Sequence, residues 1–425
     1  MNPQARDAKS LGSLSPGAEL LPQLMRQPLG GTPLLVRSGG TSSRCAADQR
    51  WTLDLHRHQH FRYLSATQEV EFGTGLSMAA LLRQLKAFDR AIPIGLSGLP
   101  GSGFVLTGGM GPLSRTQGLA IDHITQIEGV WGSGAPFAFD AEPTQRDPAL
   151  AARWRGLLGA APFLAVVTKL RLRTHPIVKL RLRRGWINPS DLPAVMALAE
   201  QWPESCSLQW TWGEKLEIYA VDCSPLSAPS AGLNALDPFL NTGSGNGVQQ
   251  VRDQLDLPAF GQFGMEAAGA ASAGGASASN LPHSEVLGRL GPAFADQAQS
   301  VIEQLEQHMH QRPHPACRIS AQQLGGATAR IHPDRTSFVH RHAQWKPWVT
   351  AAWMPGDGEG RRRSLAWMER VSDVLRPCCP GLHLAQLHDH LPGHQQELID
   401  AFGSWLPELR QLKANVDPDA KLPPL

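Results

Sequence analysis

The chain has 425 residues, enough for two domains or one large two-lobed enzyme. Its 39 Lys and Arg residues balance 37 Asp and Glu residues to a net charge of +2, and no basic block marks a nucleic-acid surface. No apolar run reaches the ~18 residues of a membrane-spanning helix, and the first residues lack the basic and apolar segments of a secretory signal. We therefore expect a cytoplasmic protein that binds a small-molecule substrate, with no nucleic-acid and no membrane partner.

The six cysteines are scattered without the C-x-x-C spacing of metal or redox sites. Because adjacent cysteines such as Cys378 and Cys379 rarely pair, we expect reduced thiols. The 42 Gly and 34 Pro residues predict many turns and argue against a helical bundle.

Short strands and helices alternate up to about residue 176. Apolar runs and alternation predict strands at 33–37, 51–55, 69–75 and 124–132, and an apolar run followed by alternation at 161–177. Residues 77–88 have apolar side chains at i, i+3, i+4 and i+7, which predicts an amphipathic helix with Ser77 as its N-cap. The stretch 92–122 is too rich in glycine for regular structure.

The elements become longer after residue 178. Residues 224–282 are rich in Ser, Ala, Gly and Pro, and 266–280 have too few large apolar residues to pack a core, so we expect a flexible insertion there. Further along, the pattern predicts a largely helical 283–311, paired strands within 336–353, and helices at 365–375 and 397–418, the last ending at Asp417-Pro418.

The first candidate ligand loop is RSGGTSS, which follows a predicted strand. Gly39 and Gly40 can adopt positive φ, so that the backbone N–H groups after them and the hydroxyls of Thr41, Ser42 and Ser43 point into one concavity, as in phosphate-binding nests. Arg37 adds positive charge to such a nest or faces solvent. The alternative interpretation is an ordinary connection between a strand and a turn.

The second candidate loop, 95–118, contains eight glycines. That density lets the main chain lie against a flat or anionic ligand, and on this reasoning a side chain added at Gly109 would occupy the ligand's space. No Gly-Lys-[Ser/Thr] of a P-loop follows, and the G-x-G-x-x-G of a nicotinamide-binding unit is absent, so a Rossmann domain is disfavoured. The alternative interpretation is a loop-rich surface.

These segments also carry a family resemblance. In order, RSGGTSS, WTLDL, IPIGLSGLPGSG, TGGMGPLSRTQGLAIDHI and FLAVVTKLRLRTHP resemble the FAD-binding domain of the p-cresol methylhydroxylase / vanillyl-alcohol oxidase type, most of all its berberine-bridge-enzyme-like branch. The resemblance spans about 33–177, and its most specific part is the GG…RxxG…D run. Near the other end, Lys413 and Asp417-Pro418 stand where that branch has its closing Lys and Asp-Pro.

The resemblance implies an α+β fold, with a two-subdomain FAD-binding domain and a substrate cap domain made of an antiparallel sheet with flanking helices. We expect an N-terminal lead and helix over 1–32, the FAD-binding domain over 33–177, the cap domain over 178–395 with a flexible insertion at about 224–282, and a C-terminal segment, 396–425, that returns to the FAD-binding domain.

In that family the first loop wraps the FAD pyrophosphate, the second passes the isoalloxazine, the GG…RxxG…D run supports pyrophosphate and ribose, and a Val-Val-Thr segment contacts the adenine side. The positions carried over as cofactor-binding are Arg37, Ser38, Gly39, Gly40, Thr41, Ser42, Ser43, Gly95, Leu96, Ser97, Gly98, Gly101, Ser102, Gly103, Gly108, Gly109, Gly111, Leu113, Ser114, Gly118, Asp122, Val166, Val167 and Thr168.

The chain differs from the family at the positions that attach FAD covalently and at the position of the catalytic base. Thr41 and Ser97 replace the His and Cys that attach FAD covalently in many relatives, so the resemblance implies non-covalent FAD. The branch's Tyr-x-Asn-Tyr-x-Asp stretch aligns with 384–389, where both tyrosines are leucine and only Asp389 remains. The phenolic base is therefore absent, and Trp405 replaces the Asn of the closing motif.

His388 is our candidate for the missing base, because histidine needs little pKa tuning to act at neutral pH. On a strand, His388 and His390 would share one face and oppose Asp389, and His340 and His342 show the same alternation. Such i, i+2 pairs can also chelate a metal. We expect no metal site, since isolated surface histidines are the commoner outcome.

Three hypotheses follow. The first is an FAD-dependent oxidoreductase that oxidises a small alcohol, sugar or phenolic compound by hydride transfer to flavin N5 and passes electrons to O2 or another acceptor. The second is a catalytically degenerate member of the fold that acts as a binding or scaffold protein. The third is a metal-dependent hydrolase that uses the His-rich C-terminal segments.

Overall fold

The N-terminal part of the chain builds three sheets, the smallest of which pairs residues 90–91 with 175–176. The structure, a computed structural model, describes residues 10–31, 33–42, 45, 47–95, 97–241, 247–258 and 282–425. The first ten strands are β1 (Gly12–Leu14), β2 (Leu35–Arg37), β3 (Trp51–Asp54), β4 (Phe61–Leu64), β5 (Glu69–Gly73), β6 (Arg90–Ala91), β7 (Ile124–Trp131), β8 (Pro136–Asp140), β9 (Ala165–Arg173) and β10 (His175–Pro176). A parallel sheet has the order β1-β3-β2, and an antiparallel one has the order β4-β5-β9-β7-β8.

Six helices accompany these strands: α1 (Leu21–Arg26), α2 (Met78–Lys86), α3 (Ser102–Leu106), α4 (Ser114–Gln117), α5 (Ala141–Arg146) and α6 (Pro148–Leu164). The predicted helix α2 and its N-cap are confirmed, since the Ser77 hydroxyl accepts a hydrogen bond from the Ala80 N–H at 3.3 Å. The glycine-rich 92–122 stretch, predicted as irregular, contains the short helices α3 and α4.

The second half of the chain is organised by an eight-stranded antiparallel sheet, which we call the cap sheet. Its strands are β11 (Leu180–Ile187), β12 (Cys206–Trp212), β13 (Leu216–Asp222), β14 (Gln249–Val251), β15 (His283–Leu290), β16 (Arg318–Gln323), β17 (Trp345–Trp353) and β18 (Gly381–Leu382). Their order is β14-β11-β13-β12-β16-β17-β15-β18. Together with the N-terminal sheets, this gives the predicted α+β class.

Helices cover one face of the cap sheet. The remaining helices are α7 (Leu192–Glu200), α8 (Ala231–Asn234), α9 (Ala295–His310), α10 (Gly358–Leu375), α11 (His394–Phe402) and α12 (Leu406–Val416). Gln323 donates to the Ala199 carbonyl at 2.6 Å, and the Trp345 indole donates to Glu200 Oε1 at 2.8 Å, so this face packs on α7. Because side chains alternate along a strand, the other face carries Gln322 and its neighbours.

Three sequence-based expectations about secondary structure are wrong. Residues 336–341 are irregular rather than one strand of a pair, and only β17 forms in that region. His283–Leu290 is a strand, and the predicted helix begins only at Ala295. The helix expected over 397–418 is broken at Gly403, whose φ of +51° interrupts it between α11 and α12. The flexible insertion expected at 266–280 lies outside the described residues.

The segment after α12 is anchored to the N-terminal part. Lys413 Nζ donates to Asp417 Oδ2 at 2.7 Å and to the Phe163 carbonyl at 2.8 Å. The Asp417 carboxylate accepts the N–H groups of Lys421 and Leu422 at 2.8 and 3.0 Å, and the Lys421 side chain donates to Gln27. The closing Lys and Asp therefore fix the course of residues 417–423.

Within the described residues, no helix has the length and apolarity needed to cross a bilayer. All six cysteines are free, as expected.

A buried ion pair ties the glycine-rich segment to the irregular 336–341 segment. Arg341, with 0% of its side chain exposed, donates to Asp122 Oδ2 at 3.0 Å and lies 2.8 Å from Oδ1. The same guanidinium donates to the Phe338 carbonyl at 3.0 Å and to Thr336 Oγ1 at 2.6 Å. Removing one partner of such a pair leaves the other charge buried without compensation.

We therefore expect Arg341→Met to lower the free energy of unfolding by about 3–5 kcal/mol. Arg330→Met is the matched control, because Arg330 is 62% exposed in its ion pair with Glu204 and should contribute less than about 1 kcal/mol. Urea unfolding of both variants, followed by tryptophan fluorescence, measures the difference. Equal losses of stability in the two variants would contradict the importance of the buried pair.

Candidate functional site

A cavity of about 330 Å³ lies between the two glycine loops and the edge of the cap sheet. Strand β9 and the end of α6 form its floor, and β15 with the loop after β18 closes the opposite side. The lining residues are Val36, Ser38, Gly39, Gly40, Thr41, Ser42, Cys45, Leu55, Pro100, Gly101, Ser102, Gly103, Phe104, Leu106, Thr107, Ala161, Pro162, Ala165, Val167, Ser284, Glu285, Val286, Ala385, Gln386, Leu387, His388 and Pro423.

The two glycine loops interlock at the rim of this cavity. A Cβ atom on Gly39 would lie 2.2 Å from the backbone nitrogen of Gly101, so only glycine allows this approach. The Ser38 hydroxyl donates to the Thr74 carbonyl at 2.5 Å and accepts the Ser102 N–H at 3.0 Å. The loops are thus bound to each other and to the turn after β5, and they form one continuous wall.

Ten of the 23 predicted site residues that the structure describes line the cavity, and 13 do not. The predicted residues in the lining are Ser38, Gly39, Gly40, Thr41, Ser42, Gly101, Ser102, Gly103, Val167 and His388. Those that are not part of it are Arg37, Gly95, Ser97, Gly98, Gly108, Gly109, Gly111, Leu113, Ser114, Gly118, Asp122, Val166 and Thr168. Ser43 and Leu96 lie outside the described residues.

Two charged residues predicted to serve a cofactor are instead paired with protein. Arg37 forms an ion pair with Asp54. Burial alone would raise the pKa of Asp54, but the hydrogen bonds from Arg37 and from the His56 N–H hold it below its ordinary value. Asp122 is engaged by Arg341, as described above. Both residues are therefore held by protein partners.

Several glycines of the second loop also serve packing. A Cβ atom on Gly109 would lie 2.4 Å from Ala120 Cβ, and one on Gly111 would lie 1.9 Å from the Ile94 carbonyl. Gly109 also has a φ of +72°. The expectation that a side chain at Gly109 would occupy ligand space is thus wrong, because it would collide with protein.

Gly103 behaves differently. A Cβ atom built there meets no protein atom within 4 Å, and the residue lines the cavity. Apolar side chains such as Leu55, Leu106 and Val167 face the same space, and Thr41 and Ser42 contribute hydroxyls at its rim. An apolar slot with a polar rim fits the flat ring system and polar tail of FAD, so the residues present match the cofactor that the resemblance implies.

His388 lies in the wall of the cavity, but its environment does not suit a general base. Its Nδ1 is 2.7 Å from Glu397 Oε1, and its Nε2 is 3.4 Å from Glu285 Oε1 and 3.1 Å from the Val286 carbonyl. Burial alone would lower the pKa of His388, but the two carboxylates raise it to about 10. At neutral pH the ring is an imidazolium, which has no lone pair to accept a proton.

The histidine pairs are not on strands, contrary to the expectation. His388 and His390 both reach Glu285, at 3.4 and 3.0 Å, from an irregular segment and a turn. His340, also outside any strand, lies 2.6 Å from the Asp400 carbonyl through its Nε2. In the described part of the chain, no group of three or more His, Cys, Asp or Glu side chains is arranged to hold a metal ion.

Sequence reasoning missed a polar cluster next to this cavity. His383 follows β18, its N–H donates to the Gly288 carbonyl at 2.8 Å, and its Nε2 is 3.8 Å from where a Cβ on Gly108 would lie. Gln386, which lines the cavity, and Lys346 on β17 flank the same Gly288. Polar residues and tryptophans alternate in Gln-Trp-Thr-Trp and Trp-Lys-Pro-Trp. This pattern could have predicted a sheet with one polar and one apolar face.

Comparisons with known proteins agree with this geometry. Residues 28–138 match the family model described as an FAD binding domain. The FAD-linked oxidoreductase nodO of Hypoxylon pulicicidum is 29% identical over 231 residues, which cover 52% of this chain and 47% of that protein. The chain thus spans about half the length of this relative.

Solved structures share the fold over nearly the whole chain. BBE-like 1 of Physcomitrella patens has a TM-score of 0.78 at 17% identity, covering 98% of this chain and 92% of its own. A chitooligosaccharide oxidase has a TM-score of 0.78 at 15% identity, covering 98% and 93%. Residues 28–138 thus match an FAD binding domain, and the chain as a whole has the fold seen in berberine-bridge-enzyme-like proteins.

Proposed function

We propose that the protein is an oxidoreductase that holds FAD non-covalently in the cavity and oxidises a small alcohol, sugar or phenolic compound by hydride transfer to flavin N5. The observation that carries this proposal is the slot at Gly103, which is open to a ligand, walled by both glycine loops and bordered by polar side chains of the cap sheet. When bound, FAD supplies the hydride acceptor. The chain's own residues have to bind the substrate, exclude water and accept a proton.

Non-covalent binding is supported by the residues at the two attachment positions. Thr41 lines the cavity, and Ser97 accepts a hydrogen bond from the Leu99 N–H at 3.4 Å. Neither hydroxyl forms the histidyl or cysteinyl bond found in many relatives. Among the described residues that line the cavity, Cys45 and His388 are the thiol and the imidazole.

We assign the proton acceptor to His383 in place of His388. Oxidation of a CH–OH group to a carbonyl releases one hydride and one proton, and the proton needs a neutral base. Burial, together with the positive charge of Lys346, holds the pKa of His383 well below its ordinary value. Neither ring nitrogen has a hydrogen-bond partner among the described residues, so a lone pair is available at neutral pH.

The alternative is a protein that keeps the fold as a scaffold. The missing tyrosines favour it, and the unpaired His383 beside Gly108 favours a working site. Sugars gain support from the chitooligosaccharide oxidase, whose name states that it acts on an oligosaccharide. The acceptor that reoxidises the flavin would be O2 or another electron acceptor.

Acid precipitation tests the cofactor and its attachment. We expect a yellow protein that releases about one FAD per chain into the supernatant, because the attachment positions are Thr41 and Ser97. Absorption spectra and chromatography of both fractions measure the result. A colourless protein that binds no added FAD would favour the scaffold alternative, and flavin retained in the pellet would point to a bond at Cys45 or His388.

Gly103→Leu tests the position of the cofactor. The side chain would enter the open slot and overpack it, at a cost of about 1–3 kcal/mol. FAD should therefore bind roughly tenfold more weakly than in the wild type, or more weakly still. Gly358→Leu is the control, because Gly358 is also helical and also meets nothing within 4 Å, but it does not line the cavity. FAD titration by fluorescence quenching compares the two variants. Equal affinities would rule out the assigned slot.

His383→Gln tests the proton acceptor. Since glutamine cannot take a proton, we expect anaerobic flavin reduction to slow by about 100-fold or more with FAD content unchanged. In the wild type, His383 stays neutral at mildly acidic pH because its pKa is lowered. The rate should therefore begin to fall only below about pH 6.5. His342→Gln, which removes an exposed histidine, should change neither quantity. An unchanged rate in His383→Gln would exclude this role.

A further inference from the structure

The face of the cap sheet opposite its helices carries a row of hydrogen-bond donors. Gln209 on β12 is directly opposite Gln322 on β16, and Gln322 is directly opposite Lys346 on β17. Directly opposed side chains on adjacent strands lie about 5 Å apart at Cβ. Ser207, on the same face of β12, donates to the Pro112 carbonyl at 2.8 Å, so this face meets the glycine-rich segment.

The two amides in this row are buried, and their Nε2 donors lack partners in the described part of the chain. Gln209 and Gln322 are 4% and 6% exposed, and neither Nε2 atom has a hydrogen-bond partner among the described residues. The next pair along the same strands, Thr211 and Ser320, is satisfied by a mutual hydrogen bond of 2.7 Å. The unpaired amides are therefore a local feature, and leaving buried donors unpaired costs free energy unless a ligand satisfies them.

The third member of the row is a cation without a counterion. In the described part of the chain, no carboxylate lies within ion-pair distance of the Lys346 ammonium group, which contacts the Trp348 ring at 4.7 Å. Burial lowers the pKa of Lys346 to about 8, so the ammonium form still predominates at neutral pH. A half-buried ammonium group on the same sheet face as two unpaired Nε2 donors is a set that accepts an anion.

This row adjoins the reaction site. A Cβ atom on Gly288 would lie 1.9 Å from Gln386 Oε1 and 3.3 Å from Lys346 Cε, so these two side chains flank Gly288. Gln386 lines the cavity, and the His383 N–H is bonded to the Gly288 carbonyl. An acid group held at Lys346 would thus lie close to the imidazole of His383.

We propose that Lys346, Gln322 and Gln209 bind the carboxylate of the substrate, so that the substrate is an organic acid that also carries the oxidisable hydroxyl group. This inference rests on the proposed function and narrows its substrate class. A carboxylate accepts two or more N–H hydrogen bonds and neutralises the ammonium, whereas a neutral alcohol or sugar leaves the charge uncompensated. With FAD bound, the flavin would supply the hydride acceptor and His383 would take the hydroxyl proton, so that the CH–OH group would become a carbonyl.

Paired acids and amides test the proposal with the flavin-loaded protein. We would titrate acetate, glycolate, lactate and mandelate against the corresponding carboxamides, anaerobically, and follow the change of the flavin absorption bands as the measure of binding. We expect at least one carboxylate to bind at least about tenfold more tightly than its amide. The readout is a dissociation constant and needs no turnover.

Substitutions test whether carboxylate binding depends on Lys346, Gln322 and Gln209 rather than on the cap sheet in general. Lys346→Met should weaken carboxylate binding by about tenfold or more and leave FAD content unchanged. Gln322→Met, which removes one amide donor, should weaken it less and serves if Lys346→Met does not fold. Lys215→Met is the control, since Lys215 is an exposed lysine on the turn before β13 and should change nothing.

Equal affinity for acids and amides, no binding of any carboxylate, or unaltered carboxylate binding in both row variants would overturn the inference while leaving the flavoprotein assignment intact. A protein without flavin would overturn the proposed function and, with it, this inference.

Discussion

The structure depends on the cap sheet, which has one apolar and one polar face and packs against a different part of the molecule on each. One face of the cap sheet is apolar and packs on α7, α9 and α10, with Trp210 and Trp345 almost fully buried. The other face is polar and lies against the glycine-rich segment, where Ser207 reaches Pro112. Since alternation along a strand fixes which side chain goes to which face, the polar face cannot be rearranged without exposing the apolar one. The polar side chains of Gln209, Gln322 and Lys346 are held in place by this constraint.

Glycine has two separate uses in the N-terminal part. At Gly39, Gly109 and Gly111 the missing side chain lets backbone or Ala120 approach, which shapes the wall of the cavity from behind. At Gly103 the missing side chain leaves open space. Glycine therefore serves protein packing at some positions and leaves the cavity open at others.

The sequence predicted features that depend on local physics. Helix α2 was found because its periodicity and the Ser77 cap are local. The rim at Gly39 and Gly101 was found because glycine marks places where backbone can approach closely. Strand β15 was missed because its pairing with β17 decides its structure, and that partner lies some 60 residues away.

His388 has the residue type of a base, but Glu285 and Glu397, which keep it protonated, come together only in the folded chain. The same holds for the unpaired row at Lys346, which three separate strands assemble.

The anchoring of residues 417–423 has a consequence for the order in which the molecule matures. Pro423 is part of the cavity wall, and its course is fixed by Asp417 and Lys413 at the end of the last helix. The glycine loops leave the ribosome hundreds of residues earlier, so they emerge without the wall that completes their pocket. The cavity wall is therefore complete only after the segment that follows the last described helix has docked on the N-terminal part.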